Sequence, residues 1–392
     1  MKRSIRFILW SVFIAANVPG FAQKPQPVYS ITRQMHDFDW YEEQAKAWKR
    51  EIDNGTTNRM AWVYWYQANR IAAIFKDQEK WESKHGDYFV PKETILESAE
   101  THIPNTFEYY YLKTKTAWHT ESGDNDFEYF LLKAQEIRPY DDLLFDFLLD
   151  YYILKNDKAN IKLVCKKWYE SNEIPQDILT TMYNMLISLE ENAVLLVYGD
   201  NDTYACWVLQ QAKNIRPDVL VMNVSFASNL LPYNAYIFKE NGIKPLRNDP
   251  DSIPFYFIPE QQLFKHLVEN LKGRPLYVSA FVNKEIYEEY SDKMYFTGLA
   301  FKYSPNPFNN LAVLRDNFEN KFLLDFLKQS FHNTYAQEVV NGMNAGYLSG
   351  FLQLHNHYKQ TGENDKAKKI KELATTVAQK SNLTEWLNYF EK

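Results

Sequence analysis

The chain has 392 residues, with 50 acids against 44 bases, a formal net charge of −6 and 16% aromatic residues. Charges of both signs are interspersed, which excludes the basic patch that nucleic acid requires and gives no strong pull toward an anionic membrane surface. Only two cysteines occur, Cys165 and Cys206, and no Cys/His set has zinc spacing; two separate buried thiols and no metal or other cofactor are expected, although an oxidising compartment would permit pairing.

The N-terminus reads as an address. Lys2, Arg3 and Arg6 form a basic region, Phe7 to Val18 is apolar, and the small-residue site Gly20-Phe21-Ala22 precedes Gln23. This is the pattern of a cleavable signal peptide over residues 1–22, and it falls short of the roughly 20 apolar residues of a comfortable membrane span. The rarer alternative is an uncleaved inner-membrane anchor. No cysteine near the site would take a lipid, and no later stretch is long and apolar enough to span a bilayer. The expected location is the periplasm or an equivalent space. Removing 22 residues from 392 leaves 370, room for two or three folding units.

Residues 29–188 read as a helical arm. Apolar residues recur at three- and four-residue spacing, as in Trp40-Tyr41…Trp48, Trp62…Tyr66 and Tyr109-Tyr110-Tyr111…Trp118. Polar turns separate them: Asp53-Asn54-Gly55, Ser122-Gly123-Asp124-Asn125-Asp126 and Lys155-Asn156-Asp157. Helices of such length between such turns suggest αα-hairpin repeats of the tetratricopeptide (TPR) kind. Ala134 with Pro139, and Phe145, Leu148, Tyr152 and Asn156, are looser copies of that template. The 28 Tyr, 26 Phe and 10 Trp are better read as knobs between helices than as a carbohydrate platform.

The middle, residues 189–305, differs. Ala193 to Tyr198 is a continuous apolar run, followed by the turn Gly199-Asp200-Asn201-Asp202-Thr203 and a helix-like segment from Tyr204 to Asn214. Arg216-Pro217-Asp218 then introduces a second apolar run, Val219 to Val224. Strand, turn, helix, turn, strand is a βαβ unit with both strands buried on both faces. Further strands are expected at Pro254 to Ile258, Leu276 to Val282 and Met294 to Lys302, with a helix at Glu260 to Leu271. The fold class is therefore an α/β unit with a small, mostly parallel sheet, flanked by all-α TPR-like hairpins. The last arm, 306–392, carries the cleanest repeat register: Phe351, Leu354, Tyr358, Gly362, Ala367 and Ala374. There the alanines let two helices approach, and Gly362 permits the turn between them.

Gly199 to Thr203, Trp207, Arg216-Pro217-Asp218-Val219 and Val221-Met222-Asn223-Val224-Ser225, then Pro275-Leu276-Tyr277-Val278 and Gly298-Leu299-Ala300-Phe301, resemble one known arrangement. It is the soluble C-terminal region of a family of multi-pass bacterial membrane proteins, the protein O-mannosyltransferase-like glycosyltransferases. The resemblance covers about residues 190 to 380 and implies export, an α/β unit followed by TPR repeats, and an auxiliary role in the cell envelope. The membrane-embedded half that would carry glycosyl transfer has no counterpart here, so the resemblance does not imply that activity.

The turn lies where open α/β sheets bind ligands, at a strand's carboxyl end. Asp200, Asn201, Asp202 and Thr203, with Ser225 after the second strand, are the candidate ligand-binding residues; no residue is assigned as catalytic and none as a metal ligand. Two carboxylates there could coordinate a cation or hydrogen-bond sugar hydroxyls; they repel phosphate, and no glycine-rich nucleotide motif exists. The plainer account is helix capping, and Gly123-Asp124-Asn125-Asp126 repeats the same four residues in what reads as an ordinary turn. Asp200 and Asp202 also imitate the paired acids of haloacid-dehalogenase-type phosphohydrolases, but Tyr204 stands where their threonine belongs and the later magnesium-holding acids are missing. The expected function is that of an exported, non-catalytic interaction protein of the cell envelope, with a protein partner and room for a glycan or other small polar ligand. The alternative is an enzyme acting on a sugar or phosphorylated glycan at the Asp200/Asp202 edge.

Overall fold

A computed structural model of the chain describes residues 24–77, 90–118, 124–246, 258–328 and 335–391, without the side chains of 124, 125 and 231. The signal-peptide reading, Gly123, and the strand expected before Ile258 lie outside these residues. The described chain is mostly helical around one small mixed sheet.

The N-terminal arm is built from α1 (Phe38–Asp53), α2 (Met60–Asp77), α3 (Lys92–His102), α4 (Phe107–Ala117), α5 (Asp124–Ile137), α6 (Phe145–Leu154), α7 (Lys158–Ser171) and α8 (Gln176–Ile187). α1, α4 and α7 start on polar caps, as where Asp37 accepts from the Trp40 amide at 2.9 Å and Asp157 from the Asn160 amide at 3.1 Å, whereas α3 and α8 start after a proline. The aromatics fill the spaces between helices. Phe145 stacks on Trp168 with centroids 5.5 Å apart, and Tyr111 meets Phe147 edge-on at 6.1 Å. Each such side chain taken fully out of water contributes about 1.5–3 kcal/mol.

The α/β unit follows. β1 (Val194–Val197) is wholly buried, α9 (Asp200–Lys213) returns from it, and β2 (Leu220–Asn223) pairs parallel with β1. After α10 (Val224–Asn229), α11 (Leu231–Glu240) and α12 (Glu260–Asn270), β3 (Leu276–Ser279) adds to the other side of β1, again parallel. The stretch expected as one strand, Met294 to Lys302, is instead an antiparallel hairpin, β4 (Met294–Phe296) and β5 (Ala300–Tyr303). Its apolar run hides the reversal, which Gly298 makes possible at φ +132°. The sheet order β2-β1-β3-β5-β4 is thus parallel over three strands and antiparallel over the rest.

The C-terminal arm comprises α13 (Asn310–Asp316), a π-type turn at Asn317–Lys321, α14 (Asp325–Lys328), α15 (Gln337–Asn344), and the hairpin α16 (Leu348–Thr361) and α17 (Asn364–Lys380). Gly362 ends α16 at φ +76°, and Phe351, Leu354, Tyr358, Ala367 and Ala374 are all buried in the seam. Among the described residues no helix is long and apolar enough to cross a membrane.

Helix α8 joins the parts. The wholly buried Asn184 donates to the Leu323 carbonyl and the Tyr347 hydroxyl, both at 2.8 Å, and accepts from the Leu323 amide at 2.9 Å. Just beyond Asn184, where the helix ends, Arg216 donates to the carbonyls of Leu186, Leu189 and Glu190 and is held by Asp218 at 2.8 Å. The Arg216 guanidinium keeps the Asp218 carboxyl down at about 2. The Arg-Pro-Asp segment is therefore a clamp on the end of α8, collecting carbonyls that helix termini leave unpaired.

Candidate functional site

Gly199 is the N-cap of α9, which places Asp200, Asn201 and Asp202 at its first three positions. Because helical residues point 100° apart, these three cannot share one direction. Asp202 turns back under the strand end. One of its oxygens accepts from the Tyr198 amide at 3.4 Å, the other is buried without a hydrogen-bond partner among the described residues, and the Ser279 hydroxyl at the tip of β3 favours the charged form. Its neighbour Thr203 accepts from Asn223 at 2.9 Å, and Asn223 also donates to the Tyr198 carbonyl at 3.2 Å. These contacts tie the carboxyl ends of β1, β2 and β3 into one polar knot. Asp202 is 2% exposed, and burial pushes its carboxyl up to about 6.

Asp200 and Asn201 face the other way, into a recess with about 50 Å³ of free space. Its walls come from distant parts of the chain: Ser30, Thr32 and Arg33 from the N-terminal segment, Asp146 from α6, Trp168 from α7, and Glu173 to Pro175 with Ile178 at the start of α8. Tyr204 and Ala205 continue the α9 wall, and Tyr335 with Ala336 closes the C-terminal side. Asn201 donates to the Thr32 carbonyl at 2.8 Å, which pins the N-terminal segment across the mouth. Arg33 forms an ion pair with Glu173, and Glu173 also accepts from Trp168 at 2.7 Å and Tyr335 at 3.2 Å.

Behind the recess lies a mixed charge cluster. Tyr204 donates to the buried Asp150 at 3.0 Å. Burial first, then the charge of Asp146, pushes the Asp150 carboxyl well above the usual range. Asp200 presents exposed surface to the recess while protein crowds its carboxyl, so desolvation and Asp146 raise its pKa; the Thr32 hydroxyl, Arg33 and Lys115 oppose that rise. Desolvation lowers Lys115 to about 8, against the pull of Asp146 and Asp200. Its ammonium sits 5.7 Å from the centre of the Phe147 ring.

The expected site residues are thus divided. Asp200 and Asn201 line the recess; Asp202 and Thr203 belong to the polar knot; Ser225, in the first turn of α10, accepts from Asn229 at 3.3 Å and does not line the recess. Arg33, Asp146 and Glu173 were not anticipated. The only local signal was Asp146 and Asp150, two acids four residues apart in the otherwise apolar α6. Among the described residues no group of three His, Cys, Asp or Glu side chains is placed to hold a metal ion, and Cys165 and Cys206 are both buried and free. The His355 ring, buried at the α16–α17 seam, lies 3.0 Å from the Ala367 carbonyl.

Residues 178–230 match the family described as TMEM260-associated domain 2. The match runs from α8 through β1, α9 and β2 to α10, and so includes both the Gly199-to-Thr203 turn and the Arg216 clamp. No curated protein matches the chain, and no solved structure does.

Proposed function

We propose that this chain is an exported, non-catalytic interaction protein of the cell envelope, auxiliary to envelope protein assembly or glycosylation. In this reading its TPR-like hairpins hold a protein partner in the periplasm, and the recess beside Asp200 takes a small polar ligand. The observation that carries it is the divergence of the two carboxylates. Asp200 opens to a recess built jointly by the N-terminal segment, the helical arm, the α/β unit and the C-terminal arm, whereas Asp202 is turned to the Tyr198 amide. A two-carboxylate reaction needs both groups within reach of one reacting atom. A binding recess needs only convergent polar groups against an apolar wall. Export is supported by the basic and apolar residues ahead of Gln23, and the envelope role by the motif order shared with the mannosyltransferase-like family.

The experiment is recovery of the tagged full chain from detergent-solubilised envelopes. A stoichiometric protein partner, lost on disrupting the helical arm, is the expected result. Recovery as a lone species in every detergent would overturn the scaffold reading. For the enzyme alternative, Asp200→Asn and Asp202→Asn are each assayed for hydrolysis of sugar phosphates. A turnover abolished by either change, in a protein that melts normally, would favour the enzyme.

A further inference from the structure

Resting on the reading of this recess as a ligand site, we propose that it accepts a neutral, hydroxyl-bearing ligand, with two neighbouring hydroxyls of a sugar ring or similar polyol bound between Asp146 and Asp200. Both carboxylates line the recess, and among the described residues neither has an ion-pair partner within 4.0 Å. One Asp146 oxygen accepts from the Phe147 amide at 2.9 Å, and the Thr32 hydroxyl holds the Asp200 carboxyl down against the rise that burial causes. Carboxylate oxygens accept hydrogen bonds, so a hydroxyl donor lying between these two finds an acceptor on either side.

Charge then separates the possible donors. Arg33 stands in the wall, shared with its ion-pair partner Glu173, and Lys115 behind it is attracted by both carboxylates. Arg70 adds a further positive charge felt by Lys115. The negative charge of the pair is therefore already offset, and a free ammonium or divalent cation gains little by entering. A phosphate or carboxylate would meet two carboxylate faces, and the Arg33 guanidinium in the wall is already held by Glu173. A neutral hydroxyl donor meets neither objection, and charge-assisted hydrogen bonds to it are the strong kind.

Shape agrees with this chemistry. Free space of about 50 Å³ corresponds to roughly four waters: enough for two hydroxyls and the carbons that carry them, not for a whole ring. Ile174, Pro175 and Ile178 form an apolar wall on the α8 side, suited to the C–H face of such a ligand. Tyr335, 40% exposed at the rim, offers aromatic surface to the part left outside.

The test is saturation-transfer NMR on the full mature chain with methyl glycosides of glucose, galactose and mannose, myo-inositol, ethanolamine and inorganic phosphate. At least one neutral polyol is expected to bind. Asp200→Ala is expected to weaken it about tenfold or more, the loss of a hydrogen bond to a charged group. Asp146→Asn checks the second contact without emptying the helix face, and Ser225→Ala, outside the recess, should change nothing. Thermal melts establish that each variant is folded. Binding of ethanolamine or phosphate but no polyol would overturn the ligand class and leave the recess reading standing. No binding by any probe would overturn both. Polyol binding indifferent to Asp146→Asn and Asp200→Ala would place the ligand elsewhere and overturn the proposal.

Discussion

Residues 123–126 and 199–202 carry the same string, Gly-Asp-Asn-Asp, and its acids fall in the first turn of a helix in both places, α5 and α9. The third helical residue of the first copy, Asp126, is exposed; that of the second, Asp202, is 2% exposed. Capping chemistry explains what the copies share, since acids at a helix start meet free amides and the positive end of the dipole. It does not explain the difference. The second copy follows β1, whose four residues are wholly buried between two parallel neighbours. A helix that starts from such a strand tip carries one carboxylate into the sheet edge and leaves another facing out.

The largest expected effect is on pH dependence. Burial raises the Asp202 carboxyl from 3.8 to about 6 in the folded chain. The folded state then holds this proton more tightly than the unfolded one, so the stabilisation is full below the ordinary value and is lost as pH rises through about 6. Wild type is expected to lose on the order of 2–3 kcal/mol relative to Asp202→Asn across that window. Urea midpoints between pH 4 and pH 7 measure it, and parallel curves for the two proteins would break the contrast with Asp126.

Next comes Asp202→Ala at pH 4.5. It leaves the Tyr198 amide without its acceptor and is expected to destabilise by about 2 kcal/mol, with a smaller deficit at pH 7, where the wild-type carboxylate is itself unfavourable. Asn201→Ala removes the 2.8 Å bond to the Thr32 carbonyl, at about 1 kcal/mol. Its sharper readout is limited proteolysis, where cleavage within residues 24–36 should accelerate ahead of global unfolding. Asp126→Ala, the control in the exposed copy, should leave the unfolding midpoint unchanged within error. A deficit there equal to that of Asp202→Ala would show that the string itself, and not its setting, carries the energy.

Legibility in the sequence followed the range of the interaction. The buried runs Ala193 to Tyr198 and Val219 to Val224 read correctly as parallel strands because burial on both faces leaves an uninterrupted apolar signature. The α16–α17 hairpin was legible because Phe351, Tyr358, Gly362 and Ala367 fall within about 16 residues of one another, so helical spacing and one tight turn bring them together. The β4–β5 hairpin was misread as one strand, since its turn Thr297-Gly298-Leu299 contains a single weak breaker between apolar residues. Arg216 and Asp218 were seen as a motif, but their role as a clamp depends on the end of α8, some 30 residues upstream.

Of the recess, only Asp200 and Asn201 were legible, and its other walls were not. Arg33, Asp146, Glu173, Asp200 and Tyr335 come from five separate segments, and no periodicity within any one of them announces that they converge. By itself the sequence determined the helical arms, the βαβ unit and its polar turn, because spacing, capping and burial patterns act over a few residues. Only the tertiary structure decided which way each carboxylate of that turn faces. Direction is set by what packs against the start of α9, and those neighbours are brought there by the whole chain.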